Sequence, residues 1–271
     1  MSGSPIGWVG GKSRLAREIV RRIPIHGVFI EPFAGAANVL FAKPKEISQV
    51  EVLNDVHGEL TNLFRCMRDR PLELIERLRW RLVSQEDFYH ERDLVGREVN
   101  RCETERAAAF LWLVKCSFGS KMGRKASFGY ARGLSRFRSD LIVDTIKRVH
   151  ERLLHVYVFN EDFEKLIARF DRSDTFYYCD PPYWGAEKHY EHVIGKADHE
   201  RLSTALQRIK GKFLLSYNDA PEIRRLYEWA IVEEVTTCYS LPKEANRQVT
   251  ELLIRNYELP MAARGSRTSK K

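Results

Sequence analysis

Five short β-prone runs constrain the fold of this 271-residue chain more than any other feature. Each run is apolar or aromatic, and each is followed by polar residues near a turn. Helical patterns separate the later runs, as at 198–210, where Asp198 is the predicted N-cap and Gly211 lies just past the end. Alternating strands and helices predict an α/β fold with a mostly parallel sheet. The five runs lie at 28–30, 50–53, 156–159, 175–179 and 212–216.

Two further features complete the predicted architecture. The runs 230–237 and 249–257 are placed to form an antiparallel pair at the sheet edge, which gives seven strands in all. Residues 57–153, between the second and third strands, contain helical patterns such as 71–82 and 104–114 but no convincing strand pattern. Because about 90 residues are too many for one crossover helix, we expect an inserted helical subdomain there.

Composition restricts the class of protein and its setting. The formal net charge of +8 is compatible with a polyanionic partner. The 5 cysteines are scattered singly, which argues against a zinc site and a disulfide framework and favours a reducing cytoplasm. No apolar run approaches the roughly 20 residues that span a bilayer, and the N-terminus lacks a secretory signal pattern. We therefore expect a cytoplasmic protein with no membrane segment and no metal requirement.

The strand at 175–179 ends in the most informative motif, the Asp-Pro-Pro-Tyr sequence at 180–183. In open α/β sheets, ligands bind at the carboxyl ends of the strands. The Asp180 carboxylate and the Pro181 carbonyl can both accept hydrogen bonds from one exocyclic amine, and the proline rings restrict φ and so aim these acceptors in advance. Tyr183 is expected to be exposed and to stack on a planar base. The alternative is a rigid strand-to-turn connection without chemistry.

The spacing of a glycine and an acid indicates a nucleoside cofactor. Gly35 lies in the first strand-to-helix turn, and Asp55 ends the next strand 20 positions later. This is the spacing at which an acid reaches ribose hydroxyls in nucleoside-binding α/β folds. The G-x-G-x-x-G fingerprint is absent, because Ala36 and Ala37 follow Gly35. A cofactor with a ribose and a base but no phosphate fits best, whereas a plain turn glycine is the alternative for Gly35.

A second glycine-rich segment, Gly10-Gly11-Lys12-Ser13, invites comparison with a P-loop. The Walker A pattern requires a glycine where this chain has Ile6, and no apolar strand precedes the segment. A nucleotide triphosphatase is therefore a minor alternative that would require nucleotide hydrolysis. The segment instead predicts a tight turn that presents Trp8 to a planar or cationic ligand and Lys12 to a carboxylate.

Together these motifs, in this order, resemble the DNA adenine-N6 methyltransferases of the Dam type, in the arrangement called the alpha group. The resemblance covers most of the chain and is carried by segments 8–12, 31–37, 54–55, 160–163, 180–183 and 250–254. It implies a Rossmann-like methyltransferase sheet in residues 1–56 and 154–260 and target recognition in the insertion 57–153. The polar, basic composition of the last residues separately predicts a disordered tail at 261–271. The chain departs from the family where Gly35-Ala36-Ala37 replaces the more usual Gly-x-Gly.

The resemblance also implies the chemistry and the site. It implies S-adenosylmethionine as cofactor and double-stranded DNA as substrate. The methyl group is expected to go to the N6 amine of an adenine that is flipped out of the duplex. The expected biological setting is restriction-modification. The family's recognition hairpin for GATC is longer and different in sequence, so GATC specificity does not carry over. The catalytic residues that it implies are Asp180, Pro181, Pro182 and Tyr183. The cofactor-binding residues that it implies are Trp8, Gly11, Lys12, Phe33, Gly35, Asp55, Asp162, Phe163 and Asp180.

The insertion contains a segment suited to DNA. Between 115 and 138 there are seven basic residues and no acid, with four aromatic residues and four glycines interleaved. Basic and aromatic groups on a loop suit phosphate contact and base insertion; a solvated basic surface loop is the alternative. The predicted DNA-binding residues are Lys121, Arg124, Lys125, Arg132 and Arg136.

Two other functions are compatible with these motifs. Methylation of adenine in RNA would use the same active-site chemistry, and substrate preference between duplex DNA and structured RNA would distinguish it. A catalytically silent DNA-binding protein on the same fold would bind the cofactor without turnover. The intact Asp-Pro-Pro-Tyr motif argues against that second alternative.

Overall fold

The computed structural model describes residues 4–8, 10–95, 100–120, 123, 126–130, 137–185, 195–238 and 248–259. This part of the chain contains the strands β1 (Val28–Glu31), β2 (Val50–Asn54), β3 (Val156–Phe159), β4 (Thr175–Cys179), β5 (Lys212–Asn218), β6 (Ile231–Cys238) and β7 (Gln248–Arg255). They form one seven-stranded sheet with the order β3-β2-β1-β4-β5-β7-β6. The first five strands in this order are parallel to one another, whereas β7 is antiparallel to both β5 and β6.

These strands confirm the predicted α/β fold and its mostly parallel sheet. The runs at 156–159 and 175–179 become β3 and β4 without change, because buried parallel strands are continuous apolar runs with clear ends. β5 continues to Asn218, two residues beyond the predicted end, because its ladder with β7 extends to the pair Asn218–Glu251. The antiparallel pair lies at the edge as expected, with β7 inside and β6 outermost.

Helices cover both faces of the sheet. Local signals explain several of their ends: Pro71 begins one helix, and the Ser84 side chain accepts a hydrogen bond from the amide of Asp87 at the start of the next. The described helices are α1 (Ala16–Val20), α2 (Asn38–Ala42), α3 (Gly58–Asp69), α4 (Pro71–Arg79), α5 (Gln85–Leu94), α6 (Glu103–Cys116), α7 (Ser139–Leu153), α8 (Phe163–Phe170), α9 (Lys196–Arg208) and α10 (Pro221–Leu226).

The prediction of Asp198 as an N-cap was wrong. α9 begins at Lys196, and its N-cap is Gly195. The Asp198 carboxylate accepts a hydrogen bond from the backbone N–H of Gly195, with an N to Oδ2 distance of 3.0 Å. Asp198 therefore satisfies a backbone donor from within the first turn, which is the reciprocal half of a capping box.

The insertion between β2 and β3 is helical, as predicted, and the described part of it contains α3 to α7 and one isolated bridge between Ser117 and Phe128. α6 is buried along nearly all its length and packs against α3, α4 and α5. Its Leu111 and Trp112 belong to the same hydrophobic cluster as Phe29 of β1. The insertion thus shares its core with one face of the sheet, and its role in target recognition stays a prediction.

A second hydrophobic cluster fills the opposite face of the sheet. Ile30, Tyr177 and Phe213 from three neighbouring parallel strands pack there with Leu202 of α9 and Ile223 of α10. A sheet covered on both faces exposes its strand ends rather than its faces. Among the described helices, none is both long and apolar enough to cross a membrane.

A buried ion-pair cluster joins α2, β2 and α7. The Glu51 carboxylate contacts the Lys43 ammonium at 2.6 Å and the Arg152 guanidinium at 2.8 Å. Arg152 also donates to the carbonyl oxygen of Leu40 at 2.9 Å. The three charged residues are buried, so each charge depends on the others for solvation.

Glu51→Gln should therefore destabilise the fold strongly, because it leaves two buried cations without an anion. We expect a loss of about 3–5 kcal/mol in the free energy of unfolding, measured by urea denaturation. Glu76→Gln is the matched control: it removes an exposed ion pair with Arg79, and should change the free energy by less than about 1 kcal/mol. Equal unfolding midpoints for the two variants would contradict the prediction.

Candidate active site

Asn54, the last residue of β2, holds three strand ends together. Its side-chain nitrogen donates to the carbonyl oxygen of Pro32 at 2.9 Å and to that of Glu161 at 3.0 Å. Its side-chain oxygen accepts from the N–H of Glu161 at 3.0 Å. Pro32 follows β1 and Glu161 follows β3, so one amide group fixes the carboxyl edge of the sheet across three strands.

Asp55 organises the turn after β1. One carboxylate oxygen accepts from the N–H of Gly35 at 2.9 Å, and the other accepts from the N–H of His57 at 2.9 Å. Gly35 has a φ of +48°, and a Cβ there would lie 3.0 Å from the Trp8 ring, so both conformation and space favour glycine. The 20-residue spacing in the sequence thus corresponds to a direct hydrogen bond.

Ala37 occupies the position of the second glycine of the Gly-x-Gly pattern. It has a φ of 52°, in the left-handed region, and it precedes α2 as the N-cap. The turn therefore keeps a backbone shape that glycine adopts freely, at a cost of roughly 1–2 kcal/mol for a residue with a Cβ.

The turn predicted near the N-terminus lies over this segment. The N–H of Gly11 donates to the carbonyl oxygen of Trp8 at 3.0 Å. A Cβ at Gly11 would lie 2.9 Å from the side-chain nitrogen of Asn38, the first residue of α2. The Trp8 ring packs edge-on against His57, with 5.9 Å between ring centroids. Trp8 and Gly11 thus lie beside the Gly35 turn.

Asp162, Phe163 and Phe33 form a group at the end of β3. Asp162 is the N-cap of α8, and its Oδ1 accepts from the N–H of Glu164 at 3.0 Å and from Arg201 at 2.9 Å. Phe163 packs against Phe33 with 5.2 Å between centroids, and the Arg201 guanidinium lies 4.9 Å from the Phe163 ring. The structure thus brings these three predicted residues together and adds Arg201 to them.

Asp180 lies directly after β4 and is held through one oxygen. Its Oδ1 is 2.8 Å from the ammonium of Lys12 and accepts from the hydroxyl of Ser216 at 2.9 Å. Lys12 is buried and also donates to the carbonyl oxygen of Gly10 at 2.8 Å. No hydrogen bond from the described residues reaches Oδ2 of Asp180. Pro181 is buried and Pro182 half-buried, so the motif is packed rather than mobile.

Tyr183 corrects one expectation, because the prediction that its ring is exposed was wrong. The residue is only 9% exposed. Its hydroxyl donates to Oε2 of Glu251 at 2.8 Å, and the Lys12 ammonium lies 4.5 Å from its ring centroid. Burial, followed by the negative charges of Asp180 and Glu251, raises the pKa of Tyr183 well above its usual value. The ring belongs to the hydrophobic cluster on one face of the sheet and its centroid lies 5.9 Å from that of the Tyr217 ring, while its hydroxyl reaches Glu251 of β7.

Three polar residues of the site were not assigned from sequence: Glu31, Ser216 and Glu251. Each lies in an apolar strand, where a buried polar side chain is the exception that marks it. Glu31, at the end of β1, is 1% exposed and accepts from the N–H of Leu40 at 2.7 Å. Burial raises the pKa of Glu31 to about 8, and the negative charge of Asp180 acts in the same direction.

The predicted DNA-binding residues Lys121, Arg124, Lys125, Arg132 and Arg136 lie outside the described residues. Of the interleaved aromatic residues, Phe118 and Tyr130 are exposed, whereas Phe137 is buried in the core. Phe137 is therefore not available to insert between bases, contrary to the pattern noted in the sequence. The described residues contain no group of three or more His, Cys, Asp or Glu that could hold a metal ion.

Sequence comparison defines the family. The sequence profile of the D12 class N6 adenine-specific DNA methyltransferases matches residues 8–241, and the chain belongs to this family. The type II methyltransferase M1.LlaDCHI of Lactococcus lactis subsp. cremoris is 29% identical over 272 residues, covering 92% of this chain and 94% of the relative. M.CviBI of Paramecium bursaria Chlorella virus NC1A is 27% identical over 258 residues, covering 92% and 98%.

Other similarities are more distant. The DNA adenine methylase of Escherichia coli (strain K12) is 25% identical over 185 residues, covering 65% of this chain and 63% of the relative. Among solved structures, the rRNA methyltransferase aviRa from Streptomyces viridochromogenes superposes with a TM-score of 0.40 at 14% identity, covering 94% and 90%. A structural likeness this low bears on neither substrate nor site.

The family confirms the predicted activity. The protein methylates the N6 amine of adenine in DNA at specific sites, and its methyl donor is S-adenosylmethionine. RNA methylation and catalytically silent DNA binding are not favoured.

Glu31 should make stability depend on pH. Its folded-state pKa of about 8 lies above the ordinary value of 4.5, so folding takes up a proton between these values. Its contribution to stability is complete below the unfolded pKa and is lost as the pH rises through the folded pKa. Glu31→Gln carries no such charge, so its stability relative to wild type should increase steadily from about pH 5 to about pH 8.

Urea denaturation of both proteins across this pH range measures the effect. A stability difference that stays constant with pH would show that Glu31 does not titrate in this window.

Proposed function

We propose that Asp180 and the carbonyl group of Pro181 hold the target amine of an adenine flipped out of double-stranded DNA. The observation that carries this proposal is the asymmetry of the Asp180 carboxylate. Lys12 and Ser216 hold Oδ1, whereas Oδ2 receives no hydrogen bond from the described residues. A carboxylate fixed through one oxygen offers the other as an acceptor at a set position, which costs no reorganisation during the reaction.

The chemistry follows from the target amine. Its lone pair is delocalised into the adenine ring, so the nitrogen is a poor nucleophile. Two acceptors, the Asp180 carboxylate and the Pro181 carbonyl oxygen, favour a more pyramidal nitrogen whose lone pair points out of the ring plane. When bound, S-adenosylmethionine supplies the electrophilic methyl group. Positioning and electrostatics provide most of the acceleration, and no strong general base is required because the nitrogen becomes acidic only after attack.

The cofactor residues are proposed on the shape and charge of the strand ends. Gly35 and Gly11 lie in turns that pack closely, since a Cβ at either would crowd Trp8 or Asn38, and both turns are proposed to border the cofactor. Asp55, at the end of β2, is the acid proposed to reach the ribose. Lys12 supplies a buried ammonium for the cofactor carboxylate. Trp8, Phe33, Asp162 and Phe163 are proposed to complete the pocket around the base.

Lys12 has two roles that compete. Its ammonium now pairs with Asp180 and covers the ring of Tyr183. Stacking of adenine on that face of Tyr183 therefore requires Lys12 to move toward a cofactor carboxylate, and Ser216 alone among the described partners would then hold Oδ1 of Asp180. We propose on this basis that cofactor binding opens the site for the adenine.

On the DNA side, we propose that the basic segment of the insertion contacts the duplex and that the protein acts in the cytoplasm of a bacterial or phage-infected cell. The net charge of +8 supports a nucleic-acid partner. The similarity to enzymes named type II methyltransferases supports a place in restriction-modification. No metal ion is assigned to the reaction.

Asp180→Ala should lower kcat by more than tenfold while DNA affinity is largely retained, because one preorganised acceptor is lost and phosphate contacts are not. Methylated adenines in DNA from cells that express each variant, mapped by sequencing, give a direct readout alongside steady-state kinetics. Asp219→Ala is the control, since Asp219 forms an exposed ion pair with Arg224. A kcat for Asp180→Ala above about a tenth of wild type would refute the role.

Replacement of Arg124, Lys125 and Arg132 by Ala should weaken binding to every DNA sequence. If these residues touch phosphates, the slope of log K against log salt should fall by about 0.9 for each lost contact. We expect phosphate contact for at least two of the three, because phosphates accept most protein–DNA hydrogen bonds. A salt titration of both proteins measures this, and identical slopes and affinities would place the segment away from DNA.

A further inference from the structure

Glu251 lies at the carboxyl edge of the parallel strands, although its own strand runs the other way. It pairs in register with Asn218 at the end of β5 and with Val235 of β6. It is only 4% exposed. A carboxylate removed from water is costly unless specific groups solvate it, and those groups here belong to the active site.

Two active-site residues contact the same oxygen of Glu251. The Tyr183 hydroxyl donates to Oε2 at 2.8 Å, and the Lys12 ammonium is 4.0 Å from it. Burial raises the pKa of Glu251, whereas the positive charge of Lys12 opposes that shift. The hydrogen bond from Tyr183 is the shorter of the two contacts to Glu251. The Lys12 ammonium lies closer to Asp180, at 2.8 Å.

We propose that Glu251 is a positioning residue for methyl transfer, which acts by holding the hydroxyl of Tyr183 and so setting the plane of its ring beside Asp180. This rests on the roles proposed above for Asp180 and Tyr183. The Tyr183 ring is attached at one end to the turn after β4 and is hydrogen-bonded at the other end to β7. A ring held at both ends has a fixed plane, so a base that takes the place of Lys12 on that ring would stack at one set tilt.

The hydrogen bond to Glu251 can fix the Tyr183 ring because β7 is itself held in place. β7 forms ladders with β5 on one side and β6 on the other. A flat base that stacks on Tyr183 takes its tilt from that ring, and its amine must meet Asp180 at the same time. A misplacement of about 1 Å can cost roughly a hundredfold in rate, so loss of the hydrogen bond should affect turnover more than binding.

Three single variants and one double variant separate the possibilities: Glu251→Ala, Glu251→Gln, Tyr183→Phe and Tyr183→Phe with Glu251→Ala. Gln keeps an acceptor for the tyrosine hydroxyl and removes the charge. Glu233→Ala is the matched control, because Glu233 lies on neighbouring β6 and pairs with Arg22 and Arg255, away from Lys12. If Glu251→Ala does not fold, Glu251→Met fills the space with an apolar side chain of similar length.

Three measurements are made on the full chain. The kcat and the KM for S-adenosylmethionine are determined on unmethylated DNA. The affinity for S-adenosylhomocysteine is measured by calorimetry without DNA, and the melting temperature is recorded for each variant. The second readout is independent of turnover, and the third detects purely structural damage.

We expect Glu251→Ala and Tyr183→Phe each to lower kcat by about tenfold or more, with little change in KM or in product affinity. The double variant should lose no more than about twofold beyond Tyr183→Phe, because two residues that act as a unit are not additive. Glu251→Gln should stay within about threefold of wild type, since the acceptor remains. Glu233→Ala should lower the melting temperature and leave kcat unchanged.

Three results would overturn the proposal: multiplied losses in the double variant, wild-type kcat in Glu251→Ala, or a fall in product affinity that matches the fall in kcat. A loss of kcat in Glu233→Ala equal to that in Glu251→Ala would count as general damage and also reject it. If the proposed catalytic site is wrong, Asp180→Ala stays active. The coupling between Tyr183 and Glu251 is measured separately, with the variants of those two residues, so the two failures can be distinguished.

Discussion

The structure of the active site depends on the contacts of the buried Lys12 ammonium. It lies between the Asp180 carboxylate, the Glu251 carboxylate and the Tyr183 ring, and it connects the N-terminal turn to β4 and β7. Two carboxylates in one buried site repel each other and resist ionisation. The Lys12 ammonium lies within 4.0 Å of an oxygen of each, so the N-terminal segment is a structural part of the site.

The rest of the site is built from the ends of strands. Asn54 joins the residues that follow β1 and β3, and Asp55 holds the turn that contains Gly35. In each case a short polar side chain donates hydrogen bonds to backbone carbonyl groups, or accepts them from backbone N–H groups, that have no partner in the sheet. Polar side chains are therefore needed at this edge to form hydrogen bonds with the backbone N–H and C=O groups where the parallel sheet ends.

Sequence patterns predicted the sheet well because buried parallel strands are short apolar runs with polar ends, a property of each segment alone. The placement of Gly35 and Asp55 at neighbouring strand ends was also predictable, since their spacing reflects one βα unit, whereas the hydrogen bond between them was not predicted. The burial of Tyr183 was not predictable, because its neighbours, such as Tyr217 and Glu251, lie far from it in sequence. Likewise, the left-handed conformation of Ala37 is imposed by the turn and not by the residue. The basic DNA segment stays a prediction.

The direction of β7 has a consequence for how this enzyme can change. In the parallel part of the sheet, several residues of the site, such as Gly35, Asp55 and Asp180, follow the strands and belong to turns, which tolerate exchange. Glu251 instead lies within a strand that has ladder partners on both sides. Side chains alternate between the faces of a strand, so a slip of β7 by one residue would turn the carboxylate to the opposite face. If Glu251 positions the Tyr183 ring as proposed, substitutions in β6 that shift this register would alter turnover without touching the DNA or the cofactor.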